Sequence, residues 1–337
     1  MAQLRGDMRR IKELLKKYDR EVQQAFIAAV VAARRSVDIR ALEAALGSGD
    51  LGRAVELLRL NQALLFPLDQ AINAAYVAGG QMIAAGIPAS AGVLGFDGRA
   101  VRAEQWARQH VGGLIREVTA DQVSAVRSAI TAQIEAGRGP RAIITEIVGR
   151  VTPQGRQGGI IGLTDRQAGY AANARAELES LSRDYFARTR RDRRFDRLVE
   201  KAIQEGTPLS ATDVDRITGR YRDRLLAYRA ETIARTESIT ALRAGRDEGI
   251  RQAVEQGVID ENRVKRVWDA TGDARTRPDH AAMHGEAVEG LDAPFVLPDG
   301  SQMMHPGDTS LGADAGQTIN CRCVQRFQVD FLRGRDG

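Results

Sequence analysis

Arg263-Val-Lys-Arg-Val-Trp268 is the point at which this chain of 337 residues changes its period. From residue 7 to about residue 257, apolar side chains recur every three or four positions, the spacing that places them on one face of a helix. Residues 263–268 carry instead the two-residue alternation of a strand. Beyond them, 286–288 is short and extended, 295–304 carries a Pro298-Asp-Gly300 turn suited to a hairpin, and 319–329 again has a strand pattern. Between the first two strands, 277–284 has the length and composition of a short helix. The fold expected is mainly α, an extended multi-helix body followed by a small C-terminal α+β module with a short antiparallel sheet. Three consecutive regions follow: an N-terminal helical unit over 1–99, a long-helix middle region over 100–257 and the C-terminal module over 258–337.

Local signals divide the body. Ile11, Leu14, Leu15, Tyr18, Val22 and Phe26 line one helix over 7–35. A second helix over 38–46 stops at Gly47-Ser-Gly49, and a third starts at Asp50, whose carboxylate caps free amides, and continues toward Leu65. Residues 69–86 form a fourth, and the glycine-bearing stretch 87–99 reads as a connection. Two helix-start boxes are expected, at Thr119-Ala-Asp-Gln122 and Thr164-Asp-Arg-Gln167, in which hydroxyl and amide side chains each satisfy an end amide. Residues 152–159 read as a loop, and 214–245 as one or two long helices.

Composition limits the classes of function. No apolar run approaches the ~20 residues of a membrane span, and the N-terminus lacks the apolar stretch of a secretory signal. Two cysteines two residues apart are no disulfide framework, so folding in a reducing cytoplasm is expected. The charge of +5 comes with 44 Arg against 5 Lys, a bias of GC-rich coding that does not by itself indicate nucleic acid. Residues 183–197 hold seven Arg and three Asp. They read first as a solvated helix face with local pairs such as Arg191–Asp192 and Arg193–Asp196. The second reading is a phosphate contact through Arg188, Arg190, Arg191, Arg193, Arg194 and Arg197.

Chemistry is concentrated at the end of the chain. Three of the four histidines and both cysteines lie in the last 58 residues, in Asp273-Ala-Arg-Thr-Arg-Pro-Asp-His280, His284, His305-Pro-Gly-Asp308 and Asn320-Cys-Arg-Cys323. On these residues the module resembles the C-terminal part of the phage Mu protein F-like family, the phage minor head or head morphogenesis proteins. Trp268, Asp273, Arg275, Thr276, Arg277, His280, Gly285, Pro306, Asp308 and Asn320 to Cys323 carry the resemblance. Ala234-Arg-Thr-Glu237, Ala241 and Gly245 resemble the helix that precedes the module, and a weaker likeness through Gly162–Gln167 reaches back to about residue 110. The first hundred residues resemble nothing nameable. The resemblance implies a non-enzymatic, structural role: a virion component in few copies, in the head interior or at the portal vertex. Its partners would be the portal protein, a major capsid or scaffold protein, and packaged DNA.

Two readings of the His/Cys cluster stand side by side. Cys321 and Cys323 share a face if extended, His280 and His284 share one if helical, and two of His280, His284 and His305 with both cysteines would complete a structural zinc site. Against zinc, Cys-x-Cys is tighter than the usual ligand spacing. The competing reading has buried apolar thiols beside a buried polar network of Trp268, Asp273, Arg275, Arg277, His280, Asn320 and Arg322. A zinc-dependent hydrolase or nuclease is disfavoured, because Ala281 stands where the two-histidine helix of a zinc peptidase needs glutamate. The glycines of 155–162 lack the Gly-Lys-Ser/Thr ending of a phosphate loop.

Overall fold

The computed structural model describes residues 2–3, 7–153 and 155–331; Gln154, inside the expected loop, lies outside them. The helices in chain order are α1 (Asp7–Ser36), α2 (Ile39–Gly47), α3 (Leu51–Leu57), α4 (Phe66–Gly86), α5 (Val101–Trp106) and α6 (Gly112–Glu135). They continue with α7 (Pro140–Val148), α8 (Asp165–Glu179), α9 (Asp196–Glu205), α10 (Ala211–Glu255), α11 (Pro278–Ala282) and α12 (Ala315–Thr318). The strands are β1 (Ala2–Gln3), β2 (Arg150–Thr152), β3 (Gly155–Gln157), β4 (Val264–Asp269), β5 (Ala287–Glu289), β6 (Phe295–Val296), β7 (Gln302–Met303) and β8 (Val324–Val329). The fold is mainly α with small antiparallel sheets, most of them near the C-terminus.

Two compact units divide the chain, and they are not the three consecutive regions expected. One comprises residues 1–23, 69–111 and 231–337; the other comprises 24–68 and 112–230. The reason lies in helix length. At 1.5 Å per residue, the 45 residues of α10 run about 68 Å, more than the width of a small domain, so one helix supplies side chains to two cores.

In the unit of 24–68 and 112–230, local chemistry sets most helix starts. Asp38 accepts from the Ala41 amide at 3.0 Å and Asp50 from the Arg53 amide at 2.8 Å. Thr164 and Gln167 form the full reciprocal box opening α8. The other expected box is absent. Thr119 lies inside α6, where its hydroxyl donates back to the Ile115 carbonyl, and Gln122 accepts from the Gly162 amide at 2.6 Å. The third helix also stops short of Leu65, at Leu57, and a 3-10 turn over Gln62–Leu65 is capped by Asn61. The expected loop becomes the β2–β3 hairpin followed by a glycine segment that buried arginines hold. Arg34 donates to the carbonyls of Gly159 and Ile161, Arg222 to Gly158 and Arg229 to Gly162. Burial pulls the Arg34 guanidinium down to about 10. With its carbonyls capped and its Gly158 and Gly162 amides given to Asp223 and Gln122, this segment cradles no phosphate.

The other unit holds the sheet β1-β8-β4-β5, antiparallel throughout, with Val264 opposite Val329 and Trp268 opposite Gln325. Strand β8 begins at Val324, five residues later than the pattern suggested, because 319–323 is drawn into a loop by side-chain partners described below. Strands β6 and β7 form the expected hairpin, Gly300 turning with φ +86°. Helices α4 and α10 pack at backbone distance: a Cβ on Gly79 would strike the Leu242 carbonyl, and one on Gly245 the Tyr76 carbonyl. Around this crossing Ile83, Ile87, Ile250, Val264, Leu291 and Phe327 form a core. No helix of the described residues is long and apolar enough to cross a membrane.

Candidate functional site

The Cys-x-Cys loop is held from four sides, and three of the four holders belong to motifs seen in the sequence. Asn320 sits in the left-handed region at φ +57°, which asparagine tolerates better than most residues, and its amide donates to the Thr236 hydroxyl at 3.2 Å. Thr236 lies in the Ala234–Glu237 stretch of α10. Arg277, just before α11, donates to the Ile319 carbonyl at 2.6 Å. Asp273 takes the Arg322 guanidinium in a two-pronged pair, both contacts 2.6 Å, and that fork holds its carboxyl well below the usual range. Arg243, fully buried on α10, donates to the carbonyls of Cys321 (3.0 Å) and Cys323 and reaches the Cys321 sulfur at 3.6 Å.

Arg246, one turn further along α10, donates to the Gln325 carbonyl at 2.8 Å and lies over Phe327. Carbonyls two residues apart on an extended chain point the same way. Arg243 and Arg246 therefore satisfy the carbonyls at 321, 323 and 325 along one edge, while β1 pairs only at 328 and 329. Arg266, also fully buried, does the same for the loops beside β4, donating to Gly290, Ala293 and Met304 carbonyls. Gly307, at φ +77°, passes directly over the Arg243 guanidinium, where a Cβ would collide with Nη1.

Inside this frame lie His280, Cys321 and Cys323, all buried, with their ligating atoms within 4.8 Å of one another. Pro278, at the helix start where its missing amide is no loss, begins α11 and turns His280 inward. Its Nδ1 stands 3.5 Å from each sulfur. Its ring makes a T-shaped contact with Trp268, and Phe295, Leu297, Met283 and Met303 complete the apolar wall. The thiols are unequal. The hydrogen bond between the two thiols, with Arg243 and His280 alongside, lowers Cys321 well below an ordinary thiol, while that same bond and burial raise Cys323.

The structure does not gather the other expected ligands. Helix α11 ends at Ala282, so His284 falls beyond its last turn and is exposed against Asp269 at 3.5 Å instead of sharing a face with His280. His305 is buried elsewhere, its Nδ1 3.3 Å from the Pro306 carbonyl, beside Asp308, which takes the Met304 and Ser310 amides. The expected buried polar network is also corrected. Asp273, Arg275 and Asn320 are exposed. Asp273 accepts the Arg275 backbone amide and contacts Arg322, while the Arg275 side chain lies 4.0 Å from it and 77% exposed. Trp268 and His280 face the thiols, so the motif residues form a surface clasp and a buried cluster, two separate groups.

The Arg-rich run is likewise no single helix face. It is broken by 3-10 turns over Arg183–Ala187 and Arg193–Phe195. Arg188 grips Glu177, Arg191 grips Asp196, Arg194 grips Asp192 and Arg190 stacks on Tyr228. Asp192 is held down to about 2 by Arg194. Arg193 and Arg197 are exposed. One further cluster was not legible: His110, in a π-helical turn over Ala107–Val111, meets Glu237 at 2.7 Å and stacks on Trp106, which stacks on Tyr76. Nothing in the local sequence pairs a histidine and a glutamate 127 positions apart.

Clasp, cluster and the α10 residues that hold them fall within one stretch recognised by a family model, that of Phage Mu protein F like protein, over residues 193–326. Over these residues the chain is similar to phage Mu protein F. The match covers less than half of the chain and includes Thr236, Arg243, His280 and both cysteines. No curated protein and no solved structure matches the chain. The match agrees with the resemblance carried by Asp273 to His280 and Asn320 to Cys323.

Proposed function

We propose that this phage Mu protein F-like chain is a non-enzymatic minor head protein of a tailed bacteriophage, acting in head morphogenesis and kept in the virion in few copies. The observation that carries the reading is the family match over 193–326. The geometry supports it: the motif residues are spent on holding one another. Asp273 and Arg322, Arg277 and the Ile319 carbonyl, Thr236 and the Asn320 amide all serve to fix a loop. In this reading the module is a rigid fastening piece, and long amphipathic helices supply the surface that meets partner helices. The partner is the portal protein, with the major capsid or scaffold protein adjoining, at the portal vertex or inner head surface.

Co-expression with the portal subunit of the same phage, followed by size-exclusion chromatography, tests this. Co-elution with the portal ring is expected. A chain that elutes alone in the presence of assembled portal and of capsid and scaffold subunits refutes it.

A further inference from the structure

We propose that His280, Cys321 and Cys323 bind one zinc ion, which pins the Cys-x-Cys loop to α11. All three side chains are buried, at 1%, 2% and 2% exposure. With zinc–sulfur bonds of about 2.3 Å and zinc–nitrogen bonds of about 2.0–2.1 Å, the sulfur–nitrogen edge of a tetrahedral site is about 3.6 Å. The two sulfur–nitrogen distances here are each 3.5 Å.

The equality of those distances matters. An imidazole nitrogen offers one direction in the ring plane, either a lone pair or a proton, so Nδ1 makes one good hydrogen bond. A nitrogen equidistant from two sulfurs instead points at a centre that all three atoms share. Thiolate and imidazole are together the ligand types that suit zinc. The surroundings match a metal's outer shell. Arg243 donates to the Cys321 sulfur and to both cysteine carbonyls, which holds the backbone that carries the two sulfurs. None of the other described His, Cys, Asp or Glu side chains joins the group, so a water molecule takes the fourth position. Both sulfurs bind zinc as thiolates, so binding releases the thiol protons they carry to solvent. The ion would cross-link two chain segments, α11 and the Cys-x-Cys loop, in addition to the hydrogen bond that Arg277 gives the Ile319 carbonyl.

Cobalt(II) substitution of the full-length reduced protein tests the site. The chain has only two cysteines, so any thiolate-to-cobalt charge-transfer band reports on Cys321 and Cys323. The expected result is that band, together with visible d–d bands of tetrahedral intensity, saturating at one cobalt per chain and displaced by one zinc. Cys321→Ser and Cys323→Ser should each lose tetrahedral thiolate coordination, while His284→Ala keeps it. Should the serine variants fail to fold, the parent spectrum alone decides. Absence of the charge-transfer band at stoichiometric cobalt, or equal cobalt binding by a folded double-serine variant, overturns the proposal and leaves a hydrogen-bonded thiol pair. This outcome is independent of whether the chain binds a portal.

Discussion

Replacing Arg243 by methionine removes the donor that two buried carbonyls share. Methionine keeps most of the volume and the unbranched shape, so the loss is chemical and not a cavity. Each stranded carbonyl costs about 1–3 kcal/mol, which sums to about 2–6 kcal/mol for Cys321 and Cys323. Two further effects oppose each other. Loss of the guanidinium relieves a buried charge, which burial already disfavours, and it strips Cys321 of the positive charge beside its sulfur. The carbonyl loss therefore sets the sign. Urea unfolding followed by tryptophan fluorescence in a Trp106→Phe background makes Trp268 the only reporter, and Trp268 is packed against His280 in the same cluster. A denaturation midpoint lower by on the order of 1 M is expected. Arg243→Lys, which keeps the charge without the fork, should fall between the methionine variant and the parent. A methionine variant that unfolds with the parent would show that the 321–325 edge does not depend on its arginine, and the account of why this loop holds its shape would fail.

Two other substitutions separate contacts that matter from contacts that only look paired. Arg275→Ala should change stability by no more than about 0.5 kcal/mol, since the side chain is exposed and only its backbone amide is used; a clear drop in melting temperature would mean that Arg275 is buried in a network after all. At His110, burial lowers the basicity of the ring, but Glu237 at 2.7 Å and the nearby Asp308 outweigh it and raise the pKa above the ordinary 6.5. A raised folded value means that the histidine's contribution is complete below pH 6.5 and is lost as pH rises through the folded value. The stability difference between parent and His110→Gln should therefore shrink on going from acid to alkaline pH, and a difference that grew with pH would overturn the assignment.

Legibility from sequence followed the range of the interaction. Thr164-Asp-Arg-Gln167 and Thr119-Ala-Asp-Gln122 are the same pattern, yet only the first caps a helix. A box acts where the chain has already been brought out of the helix, and Gly162, two residues before Thr164, turns with φ +94°. Nothing comparable precedes Thr119. In the site, His280 and the two cysteines were readable as a cluster because their chemistry is rare in this chain. Arg243 and Arg246 were not, because they are two among 44 arginines and their partners are backbone carbonyls, which leave no trace in side-chain identity.

By itself the sequence determined the mainly helical class, the switch to strands near Arg263, the helix starts capped by Asp50 and Thr164, and the likeness of the C-terminal module to phage Mu protein F. Each depends on periodicity, on a side chain reaching an amide two or three residues away, or on a motif of rare residues, and these are written along the chain. Only the tertiary structure decided that the chain forms two units threaded by shared helices, that His284 and His305 stand apart from His280, and that buried arginines close the edge leading into β8. Those outcomes depend on where a long helix passes, and on which polar groups it leaves in need of a partner once water has been excluded.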